Sequence, residues 1–187
     1  MLFKGLTSVL SFPDRGPYGS NKYPGNCSGY PIKLMLEYFK SKYVLDPMEG
    51  SKTCRDVCKE LKIKYDGFDI TEKKDLFTMK LKRKYDFIHW HPPYWTMKAD
   101  EYLSLNSDVN NLANFKNWDI FTLMLKRAFL KLWDEALKKN GIIVVLCGLI
   151  RKNGRMYDMA LELIDLKKEC FQYEIIKVQQ GIELSKK

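Results

Sequence analysis

Tyr85-Asp86-Phe87-Ile88-His89-Trp90-His91-Pro92-Pro93-Tyr94-Trp95 is the stretch from which the rest of the chain is best read. Apolar residues lead in, two prolines follow, and two large aromatics close the run. The pattern predicts a buried parallel strand that stops at a rigid corner. Proline has no N–H and a fixed φ, so pairing ends there and the chain leaves the strand extended. In an open α/β sheet the ligand crevice lies outside the C-terminal ends of the strands. Tyr94 and Trp95 are therefore expected over a pocket with flat apolar walls, suited to holding a planar ring.

Size and composition bound the possibilities. Residues 1–187 are expected to form one domain, long enough for a real core but without room for a second sizeable one. Hydrophobic residues make up 45% of the chain, which places it among folding rather than disordered sequences. The longest apolar run, 141–147, is far short of a bilayer span, and the first residues lack a signal-peptide pattern. A soluble, cytoplasmic protein with no membrane association is expected. The five cysteines are scattered and form no C-x-x-C pair. They read as reduced thiols, and with only His89 and His91 beside them no metal site is expected. Thirty-two basic against 23 acidic residues give a net charge of +9, which points toward a polyanionic partner.

Along the chain, residues 1–31 are rich in turn formers and aromatics and read as a structured loop. Ser28 stands as a cap and Pro31 in the first turn of a helix expected over 32–40. Residues 43–46 read as a strand ending in Asp46. Pro47-Met48-Glu49-Gly50-Ser51-Lys52 forms a turn, and Thr53 opens a helix over 54–62. This is the strand–loop–helix order of a nucleotide-binding unit, though no G-K-[ST] follows to make a P-loop. A second strand over 64–70 ends in Asp69, at the distance from the glycine turn that suits a grip on a ribose diol. Asp75 follows on a loop. Residues 96–117 are polar and without clear period, and are expected to be a substrate loop or lid. A helix is expected over 118–139, closed by Asn140-Gly141, then a buried strand over 142–146, a helix over 156–168 and a last strand over 171–179.

HPPYW resembles the D/N/S-P-P-Y/F/W catalytic motif of the amino-group DNA methyltransferases, which methylate the exocyclic nitrogen of adenine or cytosine. The loop after the first strand is similar to that family's D-P-F-x-G-S/T-G-T: Asp46, Pro47, Gly50, Ser51 and Thr53 are kept, while Met48 stands for the aromatic and Lys52 for a glycine. The resemblance covers nearly the whole chain. It implies an α/β fold of the Rossmann-like methyltransferase type, with a mostly parallel sheet and helices on both faces. It also implies S-adenosyl-L-methionine as cofactor. Asn26, Ser28 and Gly29 would hold the cofactor's carboxylate end, Asp46 its amine, Asp69 its ribose and Asp75 its adenine amino group. Pro47, Gly50 and Ser51 would shape the loop.

The same resemblance implies the catalytic corner His91, Pro92, Pro93 and Tyr94. An exocyclic amine is a poor nucleophile because its lone pair is delocalised into the ring. Acceptors on its N–H groups, here the His91 side chain and the Pro92 carbonyl, would let the nitrogen pyramidalise for direct methyl transfer. Tyr94, with Trp95, would stack on a base extruded from the duplex. Histidine replaces the family's Asp, Asn or Ser, and imidazolium accepts nothing. Activity should therefore fall below about pH 6.5, the reference histidine value, and a flat rate from mildly acidic to mildly alkaline pH would count against His91 as acceptor.

The expected partner is DNA, with adenine N6 favoured over cytosine N4 and with RNA or protein glutamine as alternative substrates. No segment is large enough for the target-recognition region that sequence-reading members carry, as in restriction–modification pairs. Recognition would come from residues 96–117, the N-terminal turns, or a partner subunit or homodimer. A non-catalytic nucleic-acid-binding subunit is the rival from another class, kept open by Lys52 and His91.

Overall fold

Four parallel strands with helices against them carry the α/β architecture in the computed structural model, which describes residues 9–12, 14–96, 99–167 and 175–179. In chain order the elements are β1 (Val9–Phe12), α1 (Gly29–Tyr38), β2 (Tyr43–Asp46), α2 (Thr53–Glu60), β3 (Lys64–Gly67), β4 (Tyr85–Trp90) and α3 (Ala99–Leu105). There follow α4 (Trp118–Lys131), β5 (Leu137–Val145), β6 (Leu149–Lys152), β7 (Arg155–Asp158), α5 (Met159–Ile164) and β8 (Ile176–Gln179). The central sheet has the order β3-β2-β4-β5, compatible with a Rossmann-like fold. No helix among the described residues is long and apolar enough to cross a membrane.

Strand alternation makes two cores, one on each face of the sheet. Val44 of β2 and Phe87 of β4 turn toward α1 and α2, meeting Ile32, Leu36, Val57 and Cys58. Their neighbours Leu45 and Ile88 turn the other way, to Phe121, Leu125 and Leu132 around α4 and Met159 of α5. Trp90, Phe87 and Phe121 are fully buried, each worth about 1.5–3 kcal/mol of apolar burial. The continuous apolar reading of β4 follows from this: both of its faces are covered.

Several boundaries differ from the sequence expectation. The 1–31 segment contains β1, which pairs in parallel with β8; the partner is too distant in sequence for any local pattern to reveal. The helix expected to run to residue 139 ends at Lys131, with one wider π-type turn, Leu132–Ala136, completing it. Pairing then takes over: Tyr85 faces Leu137 and Phe87 faces Ile142, so 138–141 bulge outward with Asn140 at φ 62. Asn140-Gly141 is thus a strand bulge and not a helix cap. The helix expected from 156 begins at Met159, because 155–158 is the second strand of an antiparallel hairpin, β6–β7. Residues 171–174 of the last expected strand lie outside the described residues, as does Pro13. The 96–117 stretch carries α3 and a short turn, Leu112–Asn114, whose Leu112 and Ala113 are buried.

Candidate active site

Three neighbouring strands open onto one cleft. Asp46 closes β2, Asp69 follows β3 by two residues, and His91 follows β4 directly. Here β2 leads through α2 to β3 on one side, while β4 leads through α4 to β5 on the other. This is the switch point at which open α/β sheets place ligands. The cleft is tight: about 80 Å³ of it admits a water-sized sphere, within about 830 Å³ of free space that includes open solvent. Asn26, Asp46, Pro47, Gly50, Ser51, Asp69, Asp75, His91 and Pro93 all border it, brought together from five separate stretches of chain.

Buried carboxylates organise the walls. Asp69 accepts the Gly50 N–H at 3.1 Å through Oδ2, and the Thr71 N–H and hydroxyl at 3.0 and 2.7 Å through Oδ1. The glycine turn and the segment after β3 are thereby tied to one side chain. Asp46 accepts from Met48 N at 3.2 Å through Oδ1. Its Oδ2 stands 3.4 Å from His89 Nδ1, within ion-pair range but without hydrogen-bond alignment. Glu49, which the sequence reading passed over, is buried in the same wall and accepts from the Tyr65 hydroxyl at 2.9 Å. Burial pushes the Glu49 carboxyl up, opposed by that hydrogen bond and by Arg55. With Asp75 the cleft has four carboxylate residues against one lysine, Lys74, among the described residues.

Lys52 does not enter the cleft. It takes the left-handed backbone conformation, φ 67, that glycine adopts at least cost, and its ammonium pairs with Glu72 at 2.9 Å. Its side chain is thus carried away from the loop's inner face. Met48 accepts the Trp90 indole N–H through its sulfur at 3.3 Å.

The mouth is covered by the segment expected to be a lid. Asn106 donates to the Ile70 carbonyl at 2.8 Å, and Asn110 donates to Asp75 Oδ2 at 2.7 Å. The Tyr102 ring meets Tyr23 edge-on at 6.3 Å. Gly25, at φ +68, lies directly under the Tyr102 hydroxyl, where a Cβ would overlap it. Burial raises the Tyr102 phenol to about 12 and pushes the Tyr23 phenol up as well. Asp75 already accepts from this segment and from Phe77 N at 2.8 Å, so it joins the lid to the cleft wall.

Other expected site residues stand behind the surface. Ser28 caps α1, accepting from Tyr30 N at 3.3 Å, and Gly29 donates its N–H to the Arg15 carbonyl at 3.1 Å. Neither borders the cleft; Asn26 does, its amide closing the turn through the carbonyls of Asn21 and Tyr23. Pro92 is buried. Tyr94 lies beside His91, ring centroids 5.7 Å apart, with its phenol pushed up by burial. Trp95 is 5% exposed, packed against Tyr157 and Trp118 at 4.7 and 5.2 Å, with Lys152 Nζ 4.6 Å above its ring. Trp95 is therefore a buttress behind the corner rather than a stacking platform in the cleft.

A metal-type constellation also forms where none was expected. Asp46, Cys54 and His89, all buried, each bring one ligand atom within 4.8 Å of the others. Burial pushes the Cys54 thiol well up, and a cation there would have to displace its proton. The convergence was invisible in the sequence because the three residues stand on β2, α2 and β4.

Family models, curated proteins and solved structures offer no match to this chain, so its class rests on its own residues and geometry.

Proposed function

We propose that this chain is an S-adenosyl-L-methionine-dependent methyltransferase of the Rossmann-like type, acting on the exocyclic amino group of a base in DNA, adenine N6 ahead of cytosine N4. The observation that carries the reading is the sign of the cleft. A site at the switch point of a parallel sheet commonly takes a phosphate on backbone N–H groups. This one is walled by Asp46, Glu49, Asp69 and Asp75, and it abuts a His-Pro-Pro-Tyr corner. Such a wall repels phosphate and suits a ligand carrying an ammonium and a sulfonium.

On this reading the residues take the following roles. Asp46, at the end of β2, accepts from the ligand's ammonium, and the buried His89 beside it limits where that carboxylate can turn. Asp69 accepts from a ribose hydroxyl through the free side of Oδ2 while holding the glycine turn in place. Asn26, its amide spent on the carbonyls of Asn21 and Tyr23, shapes the turn beside the carboxylate end and does not itself donate to it, and Asp75 serves the adenine amino group. When bound, the cofactor supplies an electrophilic methyl group. His91 and the Pro92 carbonyl accept the hydrogens of the target amine, making its lone pair available in line with that methyl. Tyr94, half-buried beside His91 and outside the cleft's lining, has to turn toward the cleft to stack on the target ring once the base has left its duplex, and Trp95 holds the corner from behind. No covalent enzyme intermediate is required.

The test is direct. Purified protein is incubated with methyl-labelled S-adenosylmethionine and, separately, DNA, RNA and protein pools; the products are digested and analysed by mass spectrometry. N6-methyladenine in DNA is the expected product. Label in RNA or in glutamine would replace the DNA reading. Cofactor binding without label in any pool would leave a non-catalytic binding subunit.

A further inference from the structure

The β6–β7 hairpin lies outside the cleft, and none of the roles above uses it. Its sequence, Leu-Ile-Arg-Lys-Asn-Gly-Arg-Met-Tyr-Asp over 149–158, holds three cations and one acid, and that acid, Asp158, is committed to capping α5. Asn153 and Gly154 make the two-residue turn, both at positive φ. In the ladder Lys152 faces Arg155 and Arg151 faces Met156. Like charges directly opposite one another weaken a strand pair, so the tip carries repulsion that an anion would relieve. Arg151 and Arg155 are exposed, and neither guanidinium has a hydrogen-bond or ion-pair partner among the described residues. Two exposed apolar side chains, Leu149 and Met156, flank Arg151 on the outer face.

Position gives the cations their meaning. The hairpin's root abuts the His-Pro-Pro-Tyr-Trp corner: a Cβ on Gly148 would sit 3.3 Å from the Tyr94 ring. On the inner face Tyr157 packs 4.7 Å from Trp95, and Lys152 covers the same indole. The tip is thus fastened to Trp95, the buttress behind the corner, and only the root reaches Tyr94. We propose that β6–β7 is the DNA-docking element of this protein: Arg151 on the outer face and Arg155, opposite Lys152 on the other face of the tip, hold the phosphate backbone from the two sides of the turn, and Leu149 and Met156, beside Arg151, lie against deoxyribose and base edges. This inference rests on the methyltransferase reading for its purpose, but the binding it describes is measurable without it.

The test uses the full chain, a fluorescein-labelled duplex DNA and an RNA duplex of the same sequence. The Arg151→Gln/Arg155→Gln pair keeps side-chain length; the Arg151→Lys/Arg155→Lys pair keeps charge. The glutamine pair should weaken DNA binding at least tenfold and flatten the plot of log affinity against log salt by about two, from about 0.9 per phosphate contact. The lysine pair should recover most of both. Calorimetry with S-adenosylmethionine should give the parent value for both variants, which verifies that they are folded. Unchanged DNA affinity and salt slope in the glutamine pair would overturn the proposal, as would tighter binding of the RNA duplex lost in the same variants. If the parent binds cofactor but no DNA, the docking role fails while the cofactor site stands. If the hairpin variants lose DNA binding in a protein that binds no cofactor, the docking role stands and the methyltransferase reading fails.

Discussion

Asp69→Asn separates the two tasks assigned to one carboxylate. The side chain is 7% exposed and receives three donors: Gly50 N on one oxygen, Thr71 N and Oγ1 on the other. Asparagine turns one oxygen into an amide donor. In one orientation the amide faces the Gly50 N–H; in the other it faces the Thr71 N–H, where only the hydroxyl can rotate to accept. Either way a buried N–H loses its acceptor, at about 1–3 kcal/mol. At about 2–4 °C per kcal/mol for a chain of this size, a loss near 2 kcal/mol lowers Tm by about 4–8 °C. Cofactor binding suffers separately, because the ribose hydroxyl then meets a neutral amide in place of the carboxylate. One charge-assisted bond lost is about 1.5–3 kcal/mol, or about 10- to 150-fold in Kd. Thermal unfolding of the ligand-free protein reads the first effect and calorimetry with S-adenosylmethionine the second. Thr71→Val is the control, since it removes one donor to Asp69 and should lower Tm modestly with little change in Kd. If Asp69→Asn lowers Tm as stated yet leaves Kd within about twofold, against the loss expected for a charged partner, the carboxylate is a loop brace and the ribose assignment is wrong.

Three other substitutions follow from the same geometry. Lys52→Gly removes a left-handed side chain costing about 1 kcal/mol together with an exposed ion pair worth about 0–1 kcal/mol, so Tm should hold or rise; a clear fall would show that the Glu72 contact supports the loop. Glu49 has its folded-state carboxyl raised by burial, so its contribution to stability is fully present below the unfolded carboxyl range and is lost as pH rises through the folded value. Glu49→Gln abolishes that loss, and ligand-free melting should show a gain over the parent at pH 7 that shrinks toward pH 4; a gain independent of pH would refute the assignment. Gly25→Ala places a methyl group where the Tyr102 hydroxyl lies, so the covering segment should lift, with faster proteolysis within 99–114 and weaker cofactor binding. Gly25→Ala/Tyr102→Ala should recover binding except for a backbone cost of about 1 kcal/mol, and failure to recover it would mean that Tyr102 does not cover the site.

What was legible in the sequence was what a short window determines. A strand buried on both faces reads as an unbroken apolar run, and prolines mark its end, so β4 and its corner were open to reading. Asp46 and Asp69 were legible because each follows a short strand and precedes a turn. The hairpin was not read, although Asn153-Gly154 between two four-residue strands is the local signal that could have found it. Met156, Met159 and Leu163 suggest a helical spacing, and that spacing outweighed the turn. The end of α4 was hidden for another reason: apolar positions continue at helical spacing to Leu137, and only pairing with Tyr85 pulls that residue into the sheet. Tyr23, Cys54 and Tyr102 were missed as cleft residues because tertiary packing alone brings them there, whereas Glu49 and His89 sit within stretches already placed at the site and their inward direction was not legible.

The distribution of charge bears on how a base could reach the corner. The chain carries +9 overall, yet among the described residues the cleft at the end of its sheet is lined by four carboxylate residues and one lysine. A phosphate drawn to the Arg151–Arg155 tip gains from those cations only while it stays outside, since moving inward exchanges them for Asp46 and Asp69. Screening at physiological salt acts over about 8 Å, so the tip and the cleft floor can present opposite fields to different parts of one ligand. A neutral base is the part of a nucleotide that pays no Coulomb penalty on entering. On the proposed reading this partition favours base extrusion in itself: the backbone is held at the hairpin, the cationic methyl donor in the acidic cleft, and the uncharged ring passes between them to His91 and Tyr94.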